Sequence, residues 1–424
     1  MNIKTSVINL HKNSTLAWMI CICAALFFSY ELMQFHLLNA ISSHLMKDLH
    51  ISASHFGILG STYLLADVLF LIPAGIILDR YPVRKVILSA LLVCIIGTVG
   101  FACSTNFIQA CFAHFLSGIG NAFCFLCCIM LVSRWFTSDK QAFVIGIVVT
   151  IGMLGGVIAQ APFNYLATLC NWREAMMIDA ALGIAIFFAI FFIVKDSPDQ
   201  TSLLEKKFNI KVFAKEIGDC FRSSQNFFCG LYTALTNLPL MIIGAAFGSL
   251  FLSQIHGFNP STSSLITSLI CMGTILGSTI FGYLSDKIGQ RKPLMLIGAL
   301  LSLIIILSMI TIRNLHPYVM GLLFFNLGFF SSTQVLSYPL ITQASPKHLV
   351  GTSMSISAVI IMGLAGVFQI ISGKLLDMGW CGKIIDGIPI YSSTDFLRAF
   401  IIFPIGFIIA AASIKYIKEK KGVE

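Results

Sequence analysis

Charge is what this sequence has least of. Only 11% of its 424 residues are Asp, Glu, Lys or Arg, while 57% are hydrophobic. An ordinary soluble protein carries about 25% charged residues. So small a supply cannot cover a water-facing surface, which excludes a soluble globular chain and makes lipid the solvent. Hydrophilic sequence is short as well. Residues 195–226 are its longest stretch, and they hold no catalytic pattern. With no soluble domain and no nucleophile constellation, an enzyme is not expected, nor a cofactor, nor a metal. No cleavage site follows the first apolar run, so that run reads as a retained helix behind the short polar segment Met1–Asn13.

What is present is apolar sequence in long runs. Runs of roughly 20 residues are long enough to cross a bilayer as helices. Twelve are expected, at about 16–40, 54–78, 86–104, 107–133, 141–166, 174–194, 227–253, 262–284, 293–312, 317–343, 350–375 and 396–416. With the N-terminus inside, the inner segments hold 21 Lys and Arg and the outer loops hold six. That bias predicts that both termini are cytoplasmic. It also predicts that the net charge of +9 faces anionic lipid rather than nucleic acid. The localisation expected is a cell membrane, the inner membrane of a bacterium, with the chain a monomer. Most of the thirteen cysteines fall inside spans. Cys124, Cys127 and Cys128 have a metal-like spacing but lie in an apolar helix, and packing is the reading adopted.

The chain repeats itself. Gly75, Asp79, Arg80, Arg84 and Lys85 form a charged knot between spans 2 and 3, and Gly282, Asp286, Lys287, Arg291 and Lys292 repeat it between spans 8 and 9. The two aspartates are 207 residues apart. Met153 and Gln160 of span 5 are answered by Met362 and Gln369 of span 11 at an offset of 209. Two parallel six-helix units follow, at 1–195 and 227–424, joined by a cytoplasmic linker at 196–226.

Twelve spans in two halves with a doubled Gly-x-x-x-Asp-(Arg/Lys) loop resemble the major facilitator superfamily. The resemblance covers essentially the whole chain, although Pro82 and Val83 depart from the first loop copy and Gln290 from the second. It implies an all-α membrane fold of two pseudo-symmetric bundles and transport of a small solute by alternating access. It implies that Asp79 and Asp286 gate at the cytoplasmic surface with Arg84, Arg134 and Arg291, Asp79 pairing with Arg134. It also implies that spans 2 and 11, and spans 5 and 8, meet across the halves. His114 stands where the family often has Arg, and the glycine-proline antiporter motif of span 5 is not reproduced. The segment from Ser42 to Asp79 is similar to bacterial relatives of lysosomal dipeptide transporters and to amino-acid transporters of vacuolar pathogens.

Three carboxylates lie within spans: Glu31, Asp67 and Asp179. A carboxylate in apolar surroundings is costly unless it is paired or protonated. Glu31, near mid-membrane on a span that lines the family's cavity, is the leading proton-coupling candidate, followed by His114 and Asp67. Asp179 reads as structural. Tyr30, Gln34, Asn121, Tyr232, Asn237, Asn326 and Tyr338 are the candidates for a solute cavity. No Lys or Arg falls near the middle of any span, which disfavours a bare anion as solute. The expected function is proton-coupled transport of a small amphipathic solute such as an amino acid or short peptide. A drug or siderophore exporter and a non-transporting membrane sensor are the alternatives.

Overall fold

A computed structural model describes the backbone of residues 14–136, 138–196, 223–312, 315–345 and 350–419, and the side chains among these except those of 14, 79, 80, 138–143, 286 and 350–352. Most of the linker lies outside the described residues, as do the side chains of the knot aspartates Asp79 and Asp286 and with them the Asp79–Arg134 pairing.

Twelve helices are long and apolar enough to cross a membrane. They are span 1 Thr15–Ala40, span 2 Ala53–Leu78, span 3 Val83–Ala102, span 4 Phe107–Trp135, span 5 Val144–Leu169 and span 6 Trp172–Ile193. The second set is span 7 Ser224–His256, span 8 Pro260–Ser285, span 9 Lys292–Thr311, span 10 Pro317–Ala344, span 11 Ser353–Gly379 and span 12 Ser393–Tyr416. Helices dominate because a backbone in hydrocarbon must satisfy its own N–H and C=O groups. A two-stranded hairpin, β1 Ile384–Ile385 with β2 Ile388–Pro389, joins spans 11 and 12.

Four spans are interrupted beside a proline, which lacks an N–H, span 12 at Ile401 ahead of Pro404 among them. Span 5 stops at Ile158 and restarts at Ala161, with Pro162 in the new first turn. Span 7 passes Pro239 into a π-helical stretch, Leu240–Phe247, before resuming at Gly248. Span 10 tightens into 3₁₀ geometry over Ser332–Leu336, just before Pro339. Side chains take up carbonyls in these irregular stretches: Gln160 donates to the Gly244 carbonyl at 2.6 Å, and Thr233 to that of Gln334 at 3.3 Å.

Spans 2 and 11 meet across the halves, as the resemblance implies, and they do so unequally along their length. Call the face where span 1 begins and span 12 ends the terminal face. Toward the opposite face, Gly57 and Gly60 of span 2 lie directly against Gln369, and Gly373 of span 11 lies against the Ala53 carbonyl. Gly156 of span 5 packs on His36 and stands 3.4 Å from Cys271 of span 8, measured from the place a Cβ would occupy. Nearer the terminal face, no described atom lies within 4 Å of the equivalent place at Gly75, Gly146 or Gly282. Among the described residues, the closest backbone approaches between the halves therefore lie toward one face. Gly273 and Gly277 of span 8 serve a different contact: both press on span 10 of their own half, against Phe325, Phe329 and Ser332.

Candidate functional site

Three buried carboxylates gather in the N-terminal bundle. Glu31 is fully buried. Tyr63 of span 2 donates its hydroxyl to Glu31 Oε2 at 3.0 Å and to the Glu31 carbonyl at 2.9 Å. Oε1 sits in a slot floored by Gly120 of span 4, where a Cβ would collide with it. The Cys94 thiol, a weak donor, is its polar neighbour there. Sequence alone offers Glu31 only partners on its own helix. The structure brings it Tyr63, Cys94 and Gly120 from three others, because the side chain turns into the bundle.

A second set runs beside it. Gln34 donates to Asp179 Oδ2 of span 6. Thr98 of span 3 links Gln34 Oε1 at 3.2 Å to the Tyr30 hydroxyl at 3.3 Å. Asp179 Oδ1 has no hydrogen-bond partner among the described residues. Asp67 is buried with Asn121 of span 4 beside it. His114 is held between the rings of Tyr63 and Phe101, and its Nε2 is unpartnered among the described residues. All three proton-coupling candidates thus sit around Tyr63 or one helical turn from it. Tyr30 and Gln34 belong to this bundle interior.

Between the halves lies an amide clasp. Asn39 donates to Gln160 at 2.7 Å and to Ser249 Oγ at 2.9 Å, and it accepts from the Ser249 N–H at 2.8 Å. The π-helical turn of span 7 supplies the Gly244 carbonyl to Gln160. Below the clasp is a small apolar plug of Phe35, Tyr63, Leu64, Met241, Ala245 and Ala365, drawn from both halves. Asn39 and Gln160 are visible in the sequence as isolated polar residues. The repeat of Gln160 as Gln369 is the signal that marks them, since both glutamines stand at cross-half contacts.

The C-terminal candidates separate. Tyr232 is buried inside its own bundle, donating to the Met295 carbonyl at 2.8 Å and bonded to Thr333 at 2.9 Å. Asn237 accepts from Gln334 at 3.1 Å. Asn326 turns its amide onto its own Leu322 carbonyl at 2.8 Å, on a helix face shared with the exposed Leu322 and Val319. It stands apart from the others. Tyr338 is half-buried two turns before the terminal face. At that face a carboxylate caps the third helix of each half. Asp196 accepts from the Arg84 N–H at 2.9 Å and lies 3.9 Å from Arg134. Glu419 accepts from the N–H groups of Arg291 at 2.6 Å and Lys292 at 3.3 Å. Among the described residues no group of His, Cys, Asp or Glu is arranged to hold a metal ion.

The arrangement has known counterparts. The probable sulfoacetate transporter SauU of Cupriavidus necator is 25% identical over 58% of this chain and 59% of that protein. The sialic acid transporter NanX of Escherichia coli is 22% identical over 60% of this chain and 62% of its own. The chain thus matches under two thirds of the length of these two relatives. A bacterial homologue of the human lysosomal transporter Spinster, solved in an inward-facing and occupied conformation, superposes with a TM-score of 0.75 over 93% of this chain and 95% of that one. At 16% identity that likeness speaks to the fold. The profile described as Major Facilitator Superfamily matches residues 20–370 and again 229–422, both halves included, so the chain belongs to that superfamily.

Proposed function

We propose that the protein is a secondary active transporter that works by alternating access, driven by protons, and moves a small amphipathic solute such as an amino acid or short peptide. The observation that carries the reading is the close packing of the halves toward one face, where span 2 lies on span 11 at Gly57, Gly60 and Gly373, while no described atom fills the space beside Gly75, Gly146 and Gly282. Packing of this kind has two stable arrangements rather than a continuum, and rocking one half on the other exchanges them. The terminal face is then the cytoplasmic side of a bacterial inner membrane, in keeping with the Lys and Arg bias, and a single chain suffices.

Proton coupling is assigned to Glu31, with Asp67 and His114 in reserve. Among the described residues an ionised Glu31 carboxylate has Tyr63 and Cys94 as polar neighbours and no cation beside it, and a proton is the available means of neutralising it. The two relatives are named for acids, sulfoacetate and sialic acid. This chain keeps Lys and Arg away from mid-span, so an acid that brings its own ammonium group suits it better than a bare anion. The test is uptake into proteoliposomes under an imposed pH difference, with labelled amino acids and dipeptides beside sulfoacetate and sialic acid. Accumulation of an amino acid or dipeptide is expected. Accumulation of the anions alone would replace the solute assignment, and no movement of any would remove transport.

A further inference from the structure

The first turn of span 2 is capped by the wrong half of the molecule. Ser52 is in the N-cap position of that helix, extended at φ −81° and ψ 174°, yet its hydroxyl makes no capping bond. An N-cap serine ordinarily accepts from the N–H groups of the first turn. Here Asp377, near the end of span 11, does so instead. Its Oδ2 accepts from the Ser54 N–H at 2.9 Å and from the Ser52 hydroxyl at 2.6 Å. Its Oδ1 accepts from the Tyr391 hydroxyl at 2.7 Å, and the same Tyr391 oxygen accepts from the Ala53 N–H at 2.8 Å. Two free N–H groups of one half's helix are thus satisfied by a carboxylate and a phenol of the other half, and the carboxylate stands at the positive end of the helix dipole.

The C-terminal half builds this arrangement deliberately. Tyr391 is 1% exposed. Its N–H donates to Gln254 at the end of span 7 at 3.0 Å, and Gln254 in turn donates to the Pro389 carbonyl at 2.9 Å. The rings of Trp380 and Phe396 flank it. The β1–β2 hairpin therefore has a purpose: it delivers Tyr391 to the helix end. One turn away, Gly373 lets the backbones touch at the Ala53 carbonyl, so the hydrogen bonds and the closest approach coincide. At the other crossing on this face, spans 5 and 8, span 8 is capped from within its own half, Asn259 accepting from the Thr262 N–H at 2.7 Å.

We propose that Asp377, positioned by Tyr391, is the latch that holds this face shut, and that its strength sets the balance between the two arrangements of the halves. The proposal rests on the alternating-access reading. Opening the face separates the start of span 2 from the end of span 11 and breaks the three bonds that cross between the halves together, leaving the Tyr391–Asp377 bond within its own half. Asp377→Asn keeps the shape but loses the charge and turns a donor toward groups that are themselves donors. Tyr391→Phe removes one bond to each half and leaves the carboxylate.

The test uses native reporters. Cys103 and Cys381 are both exposed, on opposite halves of this face. With Cys111, Cys170 and Cys220 changed to serine, spin labels on the two report the separation by pulsed electron resonance, in liposomes and without any solute. The parent protein is expected to give one short distance. Asp377→Asn is expected to add a longer one, its population raised about tenfold, the size of one lost charge-assisted hydrogen bond. Tyr391→Phe is expected to raise it less. An unchanged distance distribution in both folded variants overturns the latch. If Asp377→Asn does not fold, Tyr391→Phe alone decides. Because no solute is involved, a face that opens in protein that transports nothing keeps the latch and removes the transport reading.

Discussion

The two halves share an architecture and differ in what they bury. The N-terminal bundle encloses Glu31, Asp67 and Asp179, all 3% exposed or less. The described interior of the C-terminal bundle is polar as well, but neutral: Tyr232 with Thr333, Asn237 with Gln334, Ser302 with Ser331. Its described carboxylates, Asp377, Asp386, Asp395 and Glu419, lie at the two faces, where they cap helices or meet water. A doubled unit has kept its helices while the described carboxylates inside spans and away from the two faces, Glu31, Asp67 and Asp179, all fall in one copy. The difference teaches that a repeat fixes where helices go, and that chemistry is then free to settle on one side. On the proposed reading, the half with the buried carboxylates is the one that gains and loses a proton. The other offers hydroxyls and amides whose bonding does not depend on one.

That division can be broken by substitution. The largest effect is expected from Glu31→Gln, which keeps the Tyr63 contact and removes the titrating group. Proteoliposomes carrying it should lose accumulation under a pH difference altogether, while exchange between equal concentrations persists. Next comes Gly120→Ala. Its Cβ would press on the Glu31 carboxylate and on Cys94, and overpacking of this kind costs about 1–3 kcal/mol, to be read as a lowered unfolding midpoint together with impaired accumulation. Tyr232→Phe, in the neutral half, forfeits its bonds to Met295 and Thr333. It should cost about 1 kcal/mol of stability and leave pH-driven accumulation standing. The smallest effect belongs to the terminal face. Arg134→Gln and Asp196→Asn should each cost under about 1 kcal/mol. Measured together they should cost less than their sum, since the two groups face each other at 3.9 Å.

Much of the fold was legible because the bilayer leaves few options. Hydropathy alone places the twelve spans within a few residues of the helices, and Pro162, Pro239 and Pro339 fall in or beside irregular stretches. The repeat of Gln160 as Gln369 was legible as a sign of duplication, and the structure places both glutamines at cross-half contacts. Side-chain direction was less legible. Hydropathy does not say how a helix is rotated, so Glu31 reads as a cavity residue until Tyr63 and Gly120 are seen to enclose it. Asn326 reads as cavity-lining for the same reason and shares a face with exposed Leu322. Small-residue spacing gives closeness but not the partner: Gly273 and Gly277 suit a contact with span 5 and in fact serve span 10. The latch was invisible, since 325 residues separate Asp377 from Ser52.

The most direct test of the division is proton movement itself. Proteoliposomes enclosing a pH-indicating dye, given an amino acid or dipeptide that the protein accumulates, should change their internal pH with the parent protein. They should do so equally with Tyr232→Phe and not at all with Glu31→Gln. A pH change that survives in Glu31→Gln, or one that vanishes in a folded Tyr232→Phe, would contradict the assignment of the proton to the N-terminal half.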